Sequence, residues 1–182
     1  MSKLANPGPL GLLGFGMTTI LLNLHNAGII SLSLVIISMG VFVGGLAQVV
    51  AGVLEFKQGN TFGGTAFTAY GFFWLSLVMI WLLPKDFPAF QADKISMGYY
   101  LLIWGIFTIF MTIGTKTHNT ITKLVFLSLA ILFVLLAIGD FTGLEIITRI
   151  AGFEGIICGA LAVYAAGGQI VNNELGKKVF PM

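Results

Sequence analysis

Residues 33–54 read SLVIISMGVFVGGLAQVVAGVL, an apolar run without Asp, Glu, Lys or Arg. The hydrocarbon core of a bilayer is about 30 Å thick, and a helix needs about 20 mainly apolar residues to cross it. A transmembrane β-strand has about 10 residues of alternating pattern, so this run is too long and too uniformly apolar to be one. Because lipid offers the backbone no hydrogen-bond partners, the run is predicted to be a transmembrane helix.

Stretches of the same character lie on both sides of this run. The sequence predicts six spans, at residues 10–27, 33–54, 62–83, 95–114, 121–139 and 146–170. The connecting loops are too short to hold a soluble domain, so residues 1–182 are expected to form a single membrane domain. The predicted fold class is an all-α integral membrane protein with six transmembrane helices.

The composition agrees with a membrane protein. Hydrophobic residues make up 57% of the chain and charged residues 9%, whereas a soluble domain carries about 25% charged residues. A chain so poor in charge could not cover its surface with polar groups, which argues against a soluble enzyme or a nucleic-acid-binding protein. Small residues spaced four apart predict helix-packing faces, at Gly40/Gly44, Ala47/Ala51 and Gly155/Gly159.

The basic residues of the loops predict the orientation, because Lys and Arg are enriched on the cytoplasmic side of membrane proteins. Six spans place both termini on one side, which would hold Lys3, Lys57, Lys116, Lys123, Lys177 and Lys178. The other side would hold Lys85, Lys94 and Arg149. Both termini are therefore expected in the cytoplasm, in a multi-pass protein of the cell (plasma or inner) membrane.

A weak internal repeat relates the odd-numbered spans. An asparagine stands just before each of them: Asn6, Asn60 and Asn119. A bulky residue follows each asparagine by nine or ten positions: Phe15, Tyr70 and Leu129. The repeat predicts three helical hairpins around a pseudo-threefold pore, with these three side chains about halfway across the membrane. Chance similarity remains an alternative, and the three side chains would then serve in packing or face lipid.

The first span opens with Asn6-Pro7-Gly8-Pro9-Leu10-Gly11-Leu12, followed by Gly14-Phe15-Gly16. Prolines are tolerated at a helix start, and asparagine can cap one. This opening resembles the signature of the acetate uptake transporter family, also called succinate–acetate permeases or YaaH-like proteins. The matching signature positions are Asn6, Pro7, Pro9, Leu10, Gly11 and Leu12, while Gly8 replaces a more usual alanine.

The resemblance continues in order over nearly the whole chain. It is carried by residues 18–26, 44–48, 54–56, 59–63, 65–67, 70–74, 135–139 and 155–164. The loop from Pro84 to Lys94 shows no matching pattern.

The resemblance implies proton-linked uptake of acetate, with succinate or other small carboxylates as further substrates in some members. It also implies a homo-hexamer in the lipid bilayer, in which every protomer has its own path. The narrow point of the family is a Phe, a Tyr and a Leu, which carry over to Phe15, Tyr70 and Leu129. No cofactor, metal or enzymatic activity is expected.

A carboxylate would have to be recognised without deep Lys or Arg. Helix N-termini and neutral side chains are the remaining donors, and the candidates along the path are Asn6, Thr18, Asn23, Gln48, Asn60, Thr65 and Asn119. Gln48 could equally make a helix–helix hydrogen bond. An apolar ring would favour the neutral acid over the ion. A passive channel for small anions or neutral solutes is the alternative to a symporter.

Two acids near the spans have less specific interpretations. Glu55 is expected to form an interfacial ion pair with Lys57 or to act as a cap. Glu154 could bind a proton, but the span boundaries place it near the outer end of the sixth span, where solvation is easy.

Overall fold

A computed structural model describes residues 5–182; Lys3, one of the lysines used for the predicted orientation, lies outside them. The described residues form six long helices: α1 (Gly8–Asn26), α2 (Leu34–Lys57), α3 (Thr61–Leu82), α4 (Lys94–Gly114), α5 (Thr120–Thr142) and α6 (Glu145–Glu174). Each predicted span coincides with one helix to within a few residues, so the six-span helical fold is confirmed. The side of the membrane that holds the termini stays a prediction.

Within the described residues, the five helices α2 to α6 are long and apolar enough to cross a membrane. Glycines and the polar side chains of its last turn, among them His25 and Asn26, dilute the apolar character of α1. Large apolar side chains cover the outside of the molecule; Phe110, for example, is 69% exposed. An apolar exterior of this kind is suited to lipid or to another copy of the chain.

Local signals set the helix boundaries. Pro9 lies in the first turn of α1, where its missing N–H costs nothing. Asp93 caps α4 by accepting a hydrogen bond from the backbone N–H of Ser96 at 2.9 Å. α5 ends at Gly143, whose φ of 67° is a left-handed conformation that glycine adopts without strain. This allows α6 to begin almost at once.

The six helices form a closed ring. They contact one another in chain order, and α1 packs against α6 to complete the circle. The most extensive contacts join α1 to α6, α2 to α3 and α4 to α5. These junctions are equivalent under a threefold repeat of hairpins, because each links the second helix of one hairpin to the first helix of the next.

Glycines make the junction of α1 with α6 very close. A Cβ added to Gly159 would lie 2.7 Å from the carbonyl oxygen of Gly16, and the reverse substitution gives the same distance. Gly155 lies directly against the side chain of Asn23. The predicted packing face Gly155/Gly159 is therefore used within the protomer, where it holds the first and last helices together.

α2 departs from regular α-helix in its middle. Residues Leu34–Met39 and Gln48–Lys57 are α-helical, whereas Gly40–Ala47 form a π-helix. This segment was not predicted from the sequence. Such insertions of π-helix occur often at functional sites, and this one ends immediately before Gln48.

Candidate permeation path

A cavity of about 250 Å³ lies at the end of the ring where α1, α3 and α5 begin. All three asparagines of the predicted repeat line it: Asn6, Asn60 and Asn119. We call this space the asparagine cavity. The repeat therefore brings together residues that are more than fifty positions apart in the sequence.

Each asparagine also fixes the start of its own helix. The Oδ1 atom accepts a hydrogen bond from a backbone N–H two or three residues ahead: Gly8 at 2.9 Å, Gly63 at 3.0 Å and Thr122 at 2.8 Å. A helix N-terminus carries about half a positive charge. Three such ends beside one cavity favour a small anion and counteract the carboxyl group of Glu55, which also lines it; no lysine or arginine lines it among the described residues.

An apolar ring lies deeper in the same cavity. Phe15, Tyr70 and Leu129 all line it and are only 6%, 3% and 3% exposed. The ring centroids of Phe15 and Tyr70 are 6.2 Å apart. At a rise of 1.5 Å per residue, side chains nine or ten positions into their helices lie about 14 Å along them, near the middle of a bilayer.

A hydrogen bond holds Tyr70 in place. The Thr108 hydroxyl donates to the carbonyl oxygen of Trp104 at 2.7 Å, so the Tyr70 hydroxyl donates to Thr108 Oγ1, 2.9 Å away. Phe107 packs against the tyrosine ring at a centroid distance of 5.5 Å. Thr108 could not be identified from the sequence, because one threonine in an apolar helix does not reveal its partner.

A second cavity, of about 270 Å³, lies toward the opposite end of the ring. His25 and Asn26 of α1 line it, together with Asp140 of α5, and we call it the histidine cavity. It shares no lining residue with the asparagine cavity. α1 and α5 each line both cavities, with Phe15 and Leu129 at the asparagine cavity and Leu22 and Leu136 at the histidine cavity.

Three of the predicted path residues line neither cavity. Thr18 donates a hydrogen bond to the carbonyl oxygen of Met39 at 3.3 Å, which ties α1 to α2. Asn23 donates to the carbonyl oxygen of Thr19 at 2.9 Å, within α1. Thr65 is half-buried on α3. Gln48, by contrast, lines the asparagine cavity with the three asparagines.

Glu55 has a different environment from the one predicted. It is 5% exposed, lines the asparagine cavity and accepts a hydrogen bond from Asn60 Nδ2 at 2.7 Å. Lys57 is exposed. A signal was present in the sequence, because Gln48 and Glu55 are seven residues apart and so share one helix face. Gln169, which accepts from Asn6 Nδ2 at 3.1 Å, was also missed.

Glu154 lies deeper than predicted. Its Oε1 accepts a hydrogen bond from Ser128, the residue before Leu129, so the carboxyl group lies beside the helix turn that carries the apolar ring. The other oxygen, Oε2, is buried and has no hydrogen-bond partner among the described residues. The expectation of an easily solvated position near the outer end of the span was therefore wrong.

The sequence profile described as the GPR1/FUN34/yaaH family matches residues 1–180. The chain belongs to this family. The resemblance noted in the sequence is thereby confirmed, and it extends beyond the opening motif to all six helices of this GPR1/FUN34/yaaH protein.

Relatives with transport names support the assignment. "Succinate-acetate/proton symporter SatP" of Escherichia coli K12 is 54% identical over 181 residues, which are 100% of this chain and 96% of that protein. "Acetate permease A" of Emericella nidulans is 33% identical over 99% of this chain and 66% of its own length. A solved structure, "Structure of the bacterial acetate channel SatP", superimposes with a TM-score of 0.97 at 53% identity and covers 99% of both chains. This member of the family is thus a multi-pass membrane protein with the fold of that channel.

Proposed function

We propose that the protein transports acetate, and other small carboxylates such as succinate, across the cell's inner membrane in a proton-linked manner. The observation that carries the proposal is the asparagine cavity, which begins among three helix N-termini and ends at the buried ring of Phe15, Tyr70 and Leu129. The symporter, permease and channel names of the relatives point to the same substrate class.

The asparagine cavity suits a ligand that must be both bound and released. Three helix ends supply a diffuse positive potential, and neutral amides supply donors, so the cavity attracts a carboxylate without an ion pair. Asn6, Asn60 and Asn119 hold the helix ends in place through their Oδ1 atoms. Weak contacts of this kind permit fast exit.

The apolar ring is proposed to act as the gate. A bare carboxylate would lose hydration beside Phe15, Tyr70 and Leu129, at a cost of several kcal/mol or more, whereas the protonated acid loses far less. Passage as the neutral acid moves one proton with each acetate. Proton linkage would then follow from the gate and needs no dedicated proton-carrying side chain.

The path is proposed to lie within each protomer of a homo-hexamer. Both cavities and the apolar ring are built from one chain, so no second copy is needed to complete them. The apolar outer faces, such as that of α4 around Phe110, are free to contact lipid or neighbouring protomers. With both termini in the cytoplasm, the asparagine cavity would open to the cytoplasm.

The test is entry of labelled acetate into proteoliposomes, compared with empty liposomes, with and without an inward proton gradient. The empty vesicles are essential because acetic acid crosses lipid unaided. The proposal expects protein-dependent accumulation that follows the gradient and is blocked by unlabelled acetate. Absence of protein-dependent entry, from protein shown to be folded, would contradict acetate transport.

A passive channel for small anions or neutral solutes is the second candidate. The ring of helices is closed by close glycine contacts between α1 and α6, which leaves little room for a rocking motion. Current recordings distinguish an anion channel from electroneutral transfer of the acid. An anion channel carries current at symmetrical pH, whereas transfer of the neutral acid carries none.

A further inference from the structure

Gln48 is a buried amide whose side chain makes no hydrogen bond to the residues that the structure describes. Its side chain is 0% exposed to solvent and lines the asparagine cavity. Neither Nε2 nor Oε1 has a hydrogen-bond partner among the described residues. Buried polar groups in proteins are almost always hydrogen-bonded. Because Nε2 and Oε1 of Gln48 have no partner among the described residues and the side chain lines a cavity, they are available to hydrogen-bond to a molecule inside that cavity.

Each of the other side-chain amides of the cavity already makes at least one hydrogen bond. The Oδ1 atoms of Asn6, Asn60 and Asn119 accept hydrogen bonds from helix-start N–H groups. Asn60 Nδ2 binds Glu55, and Asn6 Nδ2 binds Gln169. These groups are fixed as parts of the scaffold. Gln48 differs from them because its donor and its acceptor are both available.

The backbone around Gln48 brings it close to α1. A Cβ added to Gly14 would lie 2.5 Å from the carbonyl oxygen of Val43 and 3.3 Å from Cγ of Gln48. The glycine thus lets α1 and α2 approach at this point, one residue before Phe15 of the apolar ring. Gln48 also follows directly on the π-helix Gly40–Ala47, an irregularity often found where a helix serves a site.

The chemistry of a primary amide selects between the two forms of a carboxylic acid. The amide has N–H donors and a carbonyl acceptor, whereas a carboxylate has acceptors only. A carboxylate could pair with Nε2 but would place its second oxygen against Oε1. A protonated acid offers one acceptor and one O–H donor, so it can satisfy Nε2 and Oε1 together.

We propose that Gln48 is the specificity-determining residue that binds the protonated acid in preference to the anion, through a paired donor and acceptor at the edge of the apolar ring. This inference rests on the proposed function, because it assumes that a small carboxylic acid enters the asparagine cavity. It adds the charge state in which that acid is recognised. Acetamide is then a diagnostic ligand, since it matches acetic acid in size, is neutral at every relevant pH and carries the same donor–acceptor pair.

The experiment measures two quantities for the full-length wild type. One is the inhibition by acetamide of labelled-acetate entry into proteoliposomes. The other is the stabilisation of the detergent-solubilised protein by acetamide in thermal unfolding. The acetamide effects on the wild type should not follow the titration of acetic acid; Glu55 and His118 are the titratable side chains that line the same cavity. The total acetate needed for half-maximal entry should rise about tenfold per pH unit above the pKa of the free acid, because the protonated fraction falls by that factor.

Gln48→Leu should weaken both acetamide effects by about tenfold or more, the loss expected for a pair of hydrogen bonds. Thr68→Val is the matched control. Its hydroxyl is also buried without a partner in the described part of the chain, but it does not line the asparagine cavity. The control should retain both effects, and folding of each variant is checked by its unfolding transition.

Two results would overturn the inference. If acetamide has no effect on the wild type while acetate entry is intact and independent of the protonated fraction, the cavity recognises the anion. If Gln48→Leu retains the acetamide effects, the amide binds only water. If acetate entry fails altogether but acetamide stabilises the wild type and not Gln48→Leu, the assignment of Gln48 stands and the proposed function fails.

Discussion

Ser128 donates a hydrogen bond to Glu154, and this pair joins α5 to α6 next to Leu129 of the apolar ring. The pair is asymmetric, because Glu154 Oε2 is buried without a partner among the described residues. A carboxyl group in mid-membrane is costly unless all of its polar atoms are paired. Ser128 therefore compensates only part of the cost of placing Glu154 there.

Removal of Ser128 should destabilise the protein, whereas removal of Glu154 should not. Ser128→Ala leaves Glu154 without its hydrogen bond, which is expected to lower the free energy of unfolding by about 1–3 kcal/mol. Glu154→Leu removes the buried charge-bearing group altogether and should be neutral or stabilising. Thermal unfolding of both variants in the same detergent is the measurement. Equal destabilisation by the two substitutions would show that Glu154 is fully satisfied in the protein.

The side chain of Leu129 is expected to set the size limit of the path. Leu129→Ala removes most of an apolar side chain that is 3% exposed and lines the asparagine cavity. Entry of propionate or butyrate relative to acetate should rise by about tenfold, the effect of one or two methylenes in an apolar constriction. The measurement is competition against labelled acetate in proteoliposomes.

Leu132→Ala is the control for this prediction. Leu132 is also buried on α5, at 4% exposure, but does not line the cavity. Both substitutions should cost about 2–5 kcal/mol of stability, as buried leucines do elsewhere. Only Leu129→Ala should alter the preference among acids. An unchanged preference would remove Leu129 from the gate.

Because Gly16 and Gly159 are in close contact, the addition of a single methyl group at Gly159 is expected to lower stability strongly. Gly159→Ala would place its Cβ 2.7 Å from the carbonyl oxygen of Gly16, so α1 would have to move away from α6. In the same helix, the new Cβ of Gly167→Ala would have no atom of another described residue packed against it within 4 Å. The first variant should lower the unfolding temperature. The second should raise it slightly, since alanine favours a helix over glycine by about 1 kcal/mol. Equal transitions would contradict the close contact.

The stability of the first turn of α4 is expected to depend on pH, because Asp93 caps this turn. The backbone N–H of Ser96, and then its hydroxyl, bond to the carboxylate and lower the pKa of Asp93 below its usual range. A group with a lowered pKa stabilises the folded state above its unfolded-state pKa, and this contribution is lost as the pH falls through the folded-state value. The protection of the Ser96 amide against hydrogen exchange, expressed relative to the intrinsic rate at each pH, should fall as the pH drops through the folded-state pKa of Asp93.

Asp93→Asn tests the cause of this dependence. Asparagine also caps helices but has no charge to titrate. Hydrogen exchange at Ser96 should then lose the acid-induced opening while the amide stays protected at neutral pH. If the wild-type carboxyl group titrates like a free aspartate, the capping interaction is weaker than the 2.9 Å bond implies.

The helices could be predicted from the sequence because length and apolar composition alone determine what can cross a bilayer. Residues 33–54 were sufficient for one helix, and the same argument gave the other five. The asparagine repeat also identified residues of the cavity, because the distance along a helix from its capping residue to the middle of the membrane is fixed. That is why Asn60 and Tyr70 meet the same cavity as their repeat partners.

The features that the sequence did not reveal depend on contacts between helices. Thr18 and Asn23 are polar residues in a predicted span, but they bond to nearby backbone rather than to the cavities. Glu55 was assigned to the membrane surface because Lys57 is close in sequence, whereas Asn60 binds it across a turn. A polar side chain in an apolar helix indicates that a partner is needed, but only the packing shows which one.

The π-helical segment of α2 has a consequence for tolerance to changes in chain length. In a regular α-helix, deleting one residue turns everything before it by about 100° relative to everything after it. A π turn already contains an extra residue, so a deletion between Gly40 and Ala47 can return the segment to α-helix while both flanks keep their faces. A deletion between Gln48 and Glu55 would instead separate Gln48 from the face it shares with Glu55. Single-residue length variation in α2 should therefore be tolerated in the π segment and rejected in the turns that follow it.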